Sequence, residues 1–188
     1  MTVKLHLGCG KRFLPGFIHI DIDNLEHVDY CTTIDNLSMF DDNSVSEIYT
    51  CGAIGYYDIE EIKNLLFEWR RVLVVGGKLR ISVVDFEKQV ELYLKSNKCL
   101  DSIGVLGPIF GKWHYTDPNG ESSVVYKKTA LDLKLLKKLL ESNGFCNYKK
   151  YDWKVFLPKD YDDYSRAYVP HNDESGTHIM LNVECEKC

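Results

Sequence analysis

Residues 5–23, LHLGCGKRFLPGFIHIDID, set Gly8, Cys9 and Gly10 directly after one short apolar run and Asp21 and Asp23 at the end of the next. Two glycines around a small residue let the backbone turn sharply and let a ligand approach it with no Cβ in the way. A carboxylate at the end of the following strand, here Asp21, can accept hydrogen bonds from the vicinal hydroxyls of a ribose. Asp23 reads as a solvated strand end. The ligand expected is not a dinucleotide: the phosphate cradle GxGxxG is incomplete because position 13 is Phe. Only 11 residues separate Gly10 from Asp21, where the dinucleotide fingerprint expects about 20. So short a link leaves no room for a full first helix, whose N-terminus would receive a pyrophosphate. A nucleoside without phosphates fits better. Two further residues could move a proton. Asp85 ends a later apolar run, and His114 lies in GPIFGKWHYTDPNG (107–120), where an imidazole titrates near neutral pH and suits a general base.

These residues need elements to hold them. VKLHL (3–7) and FIHID (17–21) read as strands, with VDYCT (28–32) and SEIYTC (46–51) as weaker ones. DIEEIKNLLFEWRRVL reads as a helix because Ile62, Leu65, Leu66, Trp69, Val72 and Leu73 recur at three- and four-residue steps. Asp58 and Glu61 form its capping box, and Gly76 and Gly77 are expected to stop it. KLRISVV (78–84) follows as a strand and FEKQVELYL as a helix; residues 98–128 look irregular. TALDLKLLKKLLESNGF is a second strong helix, with Thr129 as cap and Gly144 at its left-handed end. Two strands near 147–156 and 178–185, joined by a polar loop, would pair antiparallel, since a parallel pair needs a long crossover. The alternation implies an α/β fold with a mostly parallel sheet, a terminal antiparallel hairpin and helices on both faces. In such sheets ligands bind beyond the carboxyl ends of the strands.

Composition excludes other classes. At 188 residues, 45% apolar and 27% charged, the chain fits one soluble globular domain. A net charge of −5 argues against a nucleic-acid partner, whose backbone asks for a basic surface. No run approaches the ~18 apolar residues of a membrane span and no signal-peptide pattern opens the chain, so a cytoplasmic protein without membrane insertion is expected. Seven scattered cysteines fit reduced thiols better than a disulfide framework. Cys185 and Cys188 have CxxC spacing, but no second pair completes a zinc site, and no metal is expected.

The motifs in their order resemble those of class I S-adenosylmethionine-dependent methyltransferases. LHLGCG is similar to the first motif, and GFIHIDID to a compact variant with a shortened first helix. The likeness runs on through DNLSMFDDNSVSEIY, EIKNLLFEWRRVLVVGGKLRISVVDFE and LKKLLESNGF, covering most of 3–157. It implies a Rossmann-like seven-stranded sheet in one domain over 1–188, with 98–128 as a substrate-side cover. It implies S-adenosyl-L-methionine as cofactor, with Leu7, Gly8, Cys9 and Gly10 against its methionine part and Asp21 and Ile22 at the ribose. Asp35, Asn36 and Leu37 would flank the adenine, and Cys51, Gly52 and Ala53 the sulfonium. Asp85 and His114 are the catalytic candidates, and Tyr164, Arg166, Tyr168 and His171 could close over the pocket. The acceptor implied is a small polar molecule; similar compact enzymes are associated with sugar hydroxyls in polysaccharide synthesis. One segment departs from the pattern. Where close relatives usually read Ser-His-x-Leu-Glu-His after the fourth strand, this chain reads CGAIGYY, with Gly52, Gly55 and Tyr56 in place of the polar groups beside the reacting methyl. A non-catalytic cofactor-binding or scaffold protein is the alternative that this change keeps open. A transferase using decarboxylated S-adenosylmethionine fits less well, because the acid spacing is short and the acidic pair after the fourth strand is missing.

Overall fold

The computed structural model describes residues 2–101, 104–171 and 173–188; Met1, Ser102, Ile103 and Asn172, which touch the expected cover and tail runs, lie outside the described residues. The elements in chain order are β1 (Val3–Leu7), β2 (Ile18–Asp21), β3 (Tyr30–Cys31), β4 (Val45–Cys51), α1 (Ile59–Val72), β5 (Leu73–Val84), α2 (Phe86–Lys95), α3 (Leu106–Phe110), β6 (Lys112–Thr116), β7 (Ser122–Tyr126), α4 (Leu133–Ser142), β8 (Phe145–Lys150), α5 (Trp153–Phe156), β9 (Tyr168–Val169), β10 (Thr177–His178) and β11 (Met180–Lys187).

The described residues form a seven-stranded sheet in the order β3-β2-β1-β4-β5-β11-β8. The first five strands run parallel, and β11 is antiparallel to both β5 and β8. Strand order reverses between β1 and β4, which puts a crevice at their carboxyl ends. The fold class expected from the sequence is therefore the one observed.

Helix α1 forms as its pattern dictates. Asp58 accepts the N–H groups of Glu60 and Glu61, each at 2.9 Å, and Glu61 Oε2 accepts that of Asp58 at 2.7 Å. Such a cap is worth about 1 kcal/mol. Its apolar stripe of Ile62, Leu65, Leu66, Trp69 and Val72 is fully buried against Leu5, Leu7 and Ile48 of the sheet. Trp69 also satisfies its indole, donating from Nε1 to Ile34 O at 2.8 Å.

Four local expectations are corrected. Gly76 and Gly77 do not stop α1, which passes straight into β5 at Leu73. The N–H groups of Asn43 and Ser44 take the carbonyls of Arg71 and Val72 at 3.0 and 2.9 Å, ending the helix without a glycine cap. The glycines instead serve a bulge in β5, where pairing jumps from Val45↔Leu73 to Glu47↔Lys78 and Gly76 has φ +75°. Helix α4 is capped by Asp132, which accepts Leu135 N–H at 2.7 Å, whereas Thr129 Oγ1 donates to Tyr57 O at 2.6 Å. The span 98–128 is not irregular but holds α3 and the antiparallel β6–β7 hairpin. The strand expected over 147–156 is β8, begun at Phe145 and cut off at Lys150, followed by the short α5 capped by Asp152.

The thiols are also not all free. Cys146 and Cys188 are joined in a disulfide with Cα atoms 5.9 Å apart. The antiparallel pairing of Glu186 with Cys146 and of Lys187 with Phe145, plus Cys188 N–H to Gly144 O at 3.2 Å, carries the last residue to the start of β8. Cys185 points away into the core.

Candidate functional site

A cavity of about 1050 Å³ opens beyond the carboxyl ends of the parallel strands. Its floor comes from residues that finish or follow β1, β2, β4 and β5: Gly8 to Gly10, Asp21 and Ile22, Cys51 to Ala53, and Val84. The β6–β7 hairpin and the segment around 163–169 close over it. Single-ligand pockets commonly measure ~300–1,000 Å³, so this volume admits two small molecules side by side.

The glycine turn needs both its glycines. Gly8 and Gly10 have φ +66° and +52°, left-handed values that cost a side-chain-bearing residue energy. A Cβ on Gly8 would overlap that of Ala53 after β4, and one on Gly10 would lie 3.5 Å from the Trp113 ring. The turn is tied to the strand beside it. Gly10 N–H donates to Asp21 Oδ2 at 2.7 Å, and Asp23 N–H donates to Asp21 Oδ1 at 2.9 Å. Each carboxylate oxygen keeps a second lone pair, and Asp21 lines the cavity although it is only 5% exposed. Burial raises its pKa, against the pull of these two N–H donors. His27 holds the other side of the turn, donating from Nε2 to Gly10 O at 2.9 Å. Cys9 is buried, its thiol pushed far up by burial and by the Asp21 charge, which suits a small wall residue rather than a nucleophile.

Beneath the turn lies an imidazole that the sequence did not flag. His6, on β1, pairs in register with His19 on β2 and also lines the cavity. It is 1% exposed, and its Nδ1 has no hydrogen-bond partner among the described residues. Burial, with smaller contributions from His19 and His27, lowers its pKa from 6.5 to about 3, so it stands neutral at pH 7. A polar atom left unpaired at that depth costs about 1–3 kcal/mol.

The expected cover is present as the hairpin, and its anchor is Asp23. Rather than ending in solvent, as its sequence position suggested, Asp23 is buried. Its Oδ1 accepts Thr116 N–H at 2.9 Å, while Asn24 N–H donates to Thr116 O at 2.8 Å. A lone two-stranded ribbon is marginal in water, so docking on the end of β2 is what holds it. Trp113 and Tyr115 face the cavity; His114 between them is exposed and outside it. The candidate base at 114 therefore has no place in the cavity wall of this structure. Asp85 likewise stays outside the cavity, its carboxylate capping α2 by accepting Glu87 N–H at 3.0 Å.

The wall expected from Asp35, Asn36 and Leu37 is also moved. Leu37 is fully buried and gives its N–H to Glu68 Oε1 at 3.2 Å, Asn36 Nδ2 donates to Thr32 Oγ1 at 3.2 Å, and Asp35 is exposed. Thr33 and Ile34 line the cavity instead, and the Trp69 indole holds the Ile34 carbonyl. Leu7 belongs to the core rather than the cavity wall. Of the tail residues, Tyr164 and Tyr168 line the cavity, while Arg166 lies 5.0 Å from the Trp153 ring and His171 is not in the wall.

Asp163 was missed, since nothing in its spacing marks it. It accepts Tyr49 Oη at 2.5 Å through Oδ2, and Ser165 N–H at 2.9 Å and Ser165 Oγ at 2.5 Å through Oδ1. These bonds fasten the C-terminal segment to β4 and leave the carboxylate in the cavity wall. Burial, and next the Asp163 charge, hold the nearby Cys51 thiol protonated. On the same side, Lys127 lies across Gly55 with its Nζ donating to Pro108 O at 2.7 Å, and burial lowers its pKa. Among the described residues no group of three or more metal-ligating side chains occurs, and no helix is long and apolar enough to cross a membrane.

No family model matches the sequence, and no curated protein matches it. Solved structures do. An S-adenosylmethionine-dependent methyltransferase from Methanosarcina mazei is 17% identical, with 98% of this chain and 91% of that one covered and a TM-score of 0.54. One from Archaeoglobus fulgidus is 15% identical over 99% and 86% of the two chains, with a TM-score of 0.58. The 1,6-didemethyltoxoflavin-N1-methyltransferase of Burkholderia thailandensis, solved with bound 1,6-didemethyltoxoflavin and S-adenosylhomocysteine, is 13% identical over 99% and 71%, with a TM-score of 0.52. The chain has the fold of these methyltransferases.

Proposed function

We propose that the protein is an S-adenosylmethionine-dependent methyltransferase acting on a small polar acceptor, with a sugar hydroxyl as the acceptor that suits the site best. The observation that carries this reading is the joined Gly10–Asp21 unit facing a cavity of about 1050 Å³. A left-handed glycine turn bonded to a carboxylate at a strand end is what a phosphate-free nucleoside requires.

In this reading Gly8, Cys9 and Gly10 lie against the methionine part of the cofactor. Asp21 and Ile22 take the ribose, Thr33 and Ile34 the adenine, and Cys51, Gly52 and Ala53 the sulfur side. Bound there, S-adenosylmethionine supplies a methyl group on a positively charged sulfur, which is already electrophilic. The chain's task is then to orient a nucleophile and exclude water, which can account for several powers of ten in rate. Trp113 and Tyr115 on the hairpin and Tyr164 and Tyr168 on the tail segment, all in the cavity wall, are the aromatic residues suited to both tasks. For a hydroxyl acceptor, Asp163 is the proton acceptor the wall offers, since Oδ2 carries only the Tyr49 bond.

The test is a turnover assay: S-adenosylhomocysteine formed from S-adenosylmethionine, followed across a panel of sugars and nucleotide sugars with wild type and Asp163→Asn. Acceptor-dependent product that falls at least ~10²-fold in the variant supports the reading. Tight cofactor binding with no turnover on any acceptor would favour the non-catalytic alternative.

A further inference from the structure

We propose that the acceptor half of the cavity is built for an acidic, ring-bearing small molecule, with Lys127 receiving its anionic oxygen; this rests on the methyltransferase reading above.

The first support is charge. The chain carries a net −5, yet the cavity wall holds Lys11, Arg12, Lys112, Lys127 and Lys128 against Asp21 and Asp163. Two of the cations are matched: Arg12 by Asp162 at 3.6 Å and Lys128 by Glu61 at 2.8 Å. Lys11, Lys112 and Lys127 have no carboxylate within 4.0 Å among the described residues. Against these three stand the Asp21 and Asp163 carboxylates, whose partners are neutral donors, so the unmatched cations of the wall outnumber its acids by three to two. The wall is thus slightly cationic within an acidic protein, with Lys127 its one half-buried unmatched cation, and a cation held between low-dielectric walls attracts anions.

The second support is the placement of Lys127. It follows β7 directly, and its stem runs alongside position 55: a Cβ on Gly55 would lie in van der Waals contact with Lys127 Cδ at 3.8 Å and Cγ at 3.9 Å. Gly55 O accepts the N–H groups of Lys128 and Thr129 at 2.9 and 3.2 Å, locking this strand end to the turn after β4. The segment that lost its polar side chains thus receives a cation from the hairpin. Lys127 Nζ spends one donor on the neutral Pro108 carbonyl and stands 6.0 Å from the centre of the Tyr56 ring. Its remaining donors have no acceptor among the described residues. A partly buried ammonium in that state is penalised by desolvation, and an anionic oxygen on the acceptor relieves the penalty.

The third support is the ring-shaped space. Tyr56, Trp113 and Tyr164 all line the cavity, and aromatic side chains of this kind can pack against either an aromatic ring or the apolar face of a sugar. An aromatic acid and a uronic acid share the chemistry required, and the experiment separates them.

The test uses calorimetry on the full-length protein. S-adenosylhomocysteine is titrated first, then two matched pairs, 4-hydroxybenzoate with 4-hydroxybenzamide and glucuronate with glucuronamide, with and without saturating S-adenosylhomocysteine. At least one acid is expected to bind ~10-fold more tightly than its amide, with the preference weakening at high salt. Lys127→Met, which keeps the aliphatic stem against Gly55, is expected to reduce the preference to about twofold or less and to leave S-adenosylhomocysteine affinity unchanged; Lys127→Arg is expected to restore it. The pair showing the larger effect identifies the acid's class. No acid preference in either pair, no binding by either acid, or a preference that survives Lys127→Met overturns the proposal. Because S-adenosylhomocysteine is measured separately, its failure to bind removes the methyltransferase reading alone, and the acid preference is then decided on the free protein.

Discussion

Gly10 N–H lies 2.7 Å from Asp21 Oδ2, so the turn after β1 and the carboxylate ending β2 form one hydrogen-bonded unit. Neither half is free to move without the other. Asp21 is thereby aimed into the cavity before any ligand arrives, and ordering it costs nothing on binding. The same carboxylate holds Asp23 N–H, and Asp23 holds the hairpin, so floor and cover share a continuous chain of hydrogen bonds.

That chain makes the hairpin's docking testable. Asp23→Ala removes the acceptor of Thr116 N–H while leaving the Asn24–Thr116 bond in place. One such bond is worth about 1 kcal/mol net. Dissociation of S-adenosylhomocysteine should accelerate about fivefold, and amide exchange over 112–126 should rise, with exchange in β1 and β4 unchanged. Equal protection of the hairpin in both proteins would show that Asp23 does not anchor it.

Gly8→Ala probes why the turn is glycine. The change adds a strained left-handed residue, ~1–2 kcal/mol, and a clash with the Ala53 Cβ. Unfolding free energy should fall by more than that strain alone. Ala53→Gly in the same chain should recover the clash and leave the strain. A double variant no more stable than Gly8→Ala would mean the two Cβ positions do not compete.

His6 sets a pH dependence with a definite sign. Unfolded, it titrates near 6.5; folded, burial holds it at about 3. The unfolded chain therefore binds an extra proton between these values, and stability falls as pH drops from about 6.5 toward 3, with no contribution above. The slope from this one group is about 1.4 kcal/mol per pH unit. His6→Phe should flatten the urea-unfolding stability curve between about pH 4 and 6 by roughly that amount. His19, whose ring centroid is 5.6 Å away and whose pKa burial also lowers, contributes to both curves. Parallel curves for the two proteins would show that His6 can be protonated in the fold.

The sequence made legible what depends on local pattern. The turn at Gly8–Gly10, the carboxylate at Asp21, the α1 face from Ile62 to Val72 and the antiparallel end strands are all set by spacing that the structure retains. What stayed hidden depends on contacts between distant residues. The β6–β7 hairpin has little apolar pattern of its own and stands because Asp23, 93 residues earlier, accepts Thr116 N–H. Within it His114 is exposed while Trp113 and Tyr115 line the cavity, a placement that no composition rule decides. Thr33 and Ile34 line the cavity in place of Asp35 to Leu37, and Trp69, far along the chain, holds the Ile34 carbonyl. Asp163 joins the wall through Tyr49, 114 residues away. The disulfide follows from strand register, which cysteine spacing does not reveal.

The central claim, that the Gly10–Asp21 unit holds the nucleoside of S-adenosylmethionine, is tested most directly by calorimetric titration of S-adenosylhomocysteine into wild type and Asp21→Ala. Two charge-assisted hydrogen bonds from ribose hydroxyls, each worth about 1.5–3 kcal/mol before losses, set the scale. Saturable one-to-one binding to wild type is expected, weakened by ~2–4 kcal/mol in a variant whose circular dichroism shows an unchanged fold. Absence of binding to folded wild type, or equal affinity in the two proteins, would contradict it.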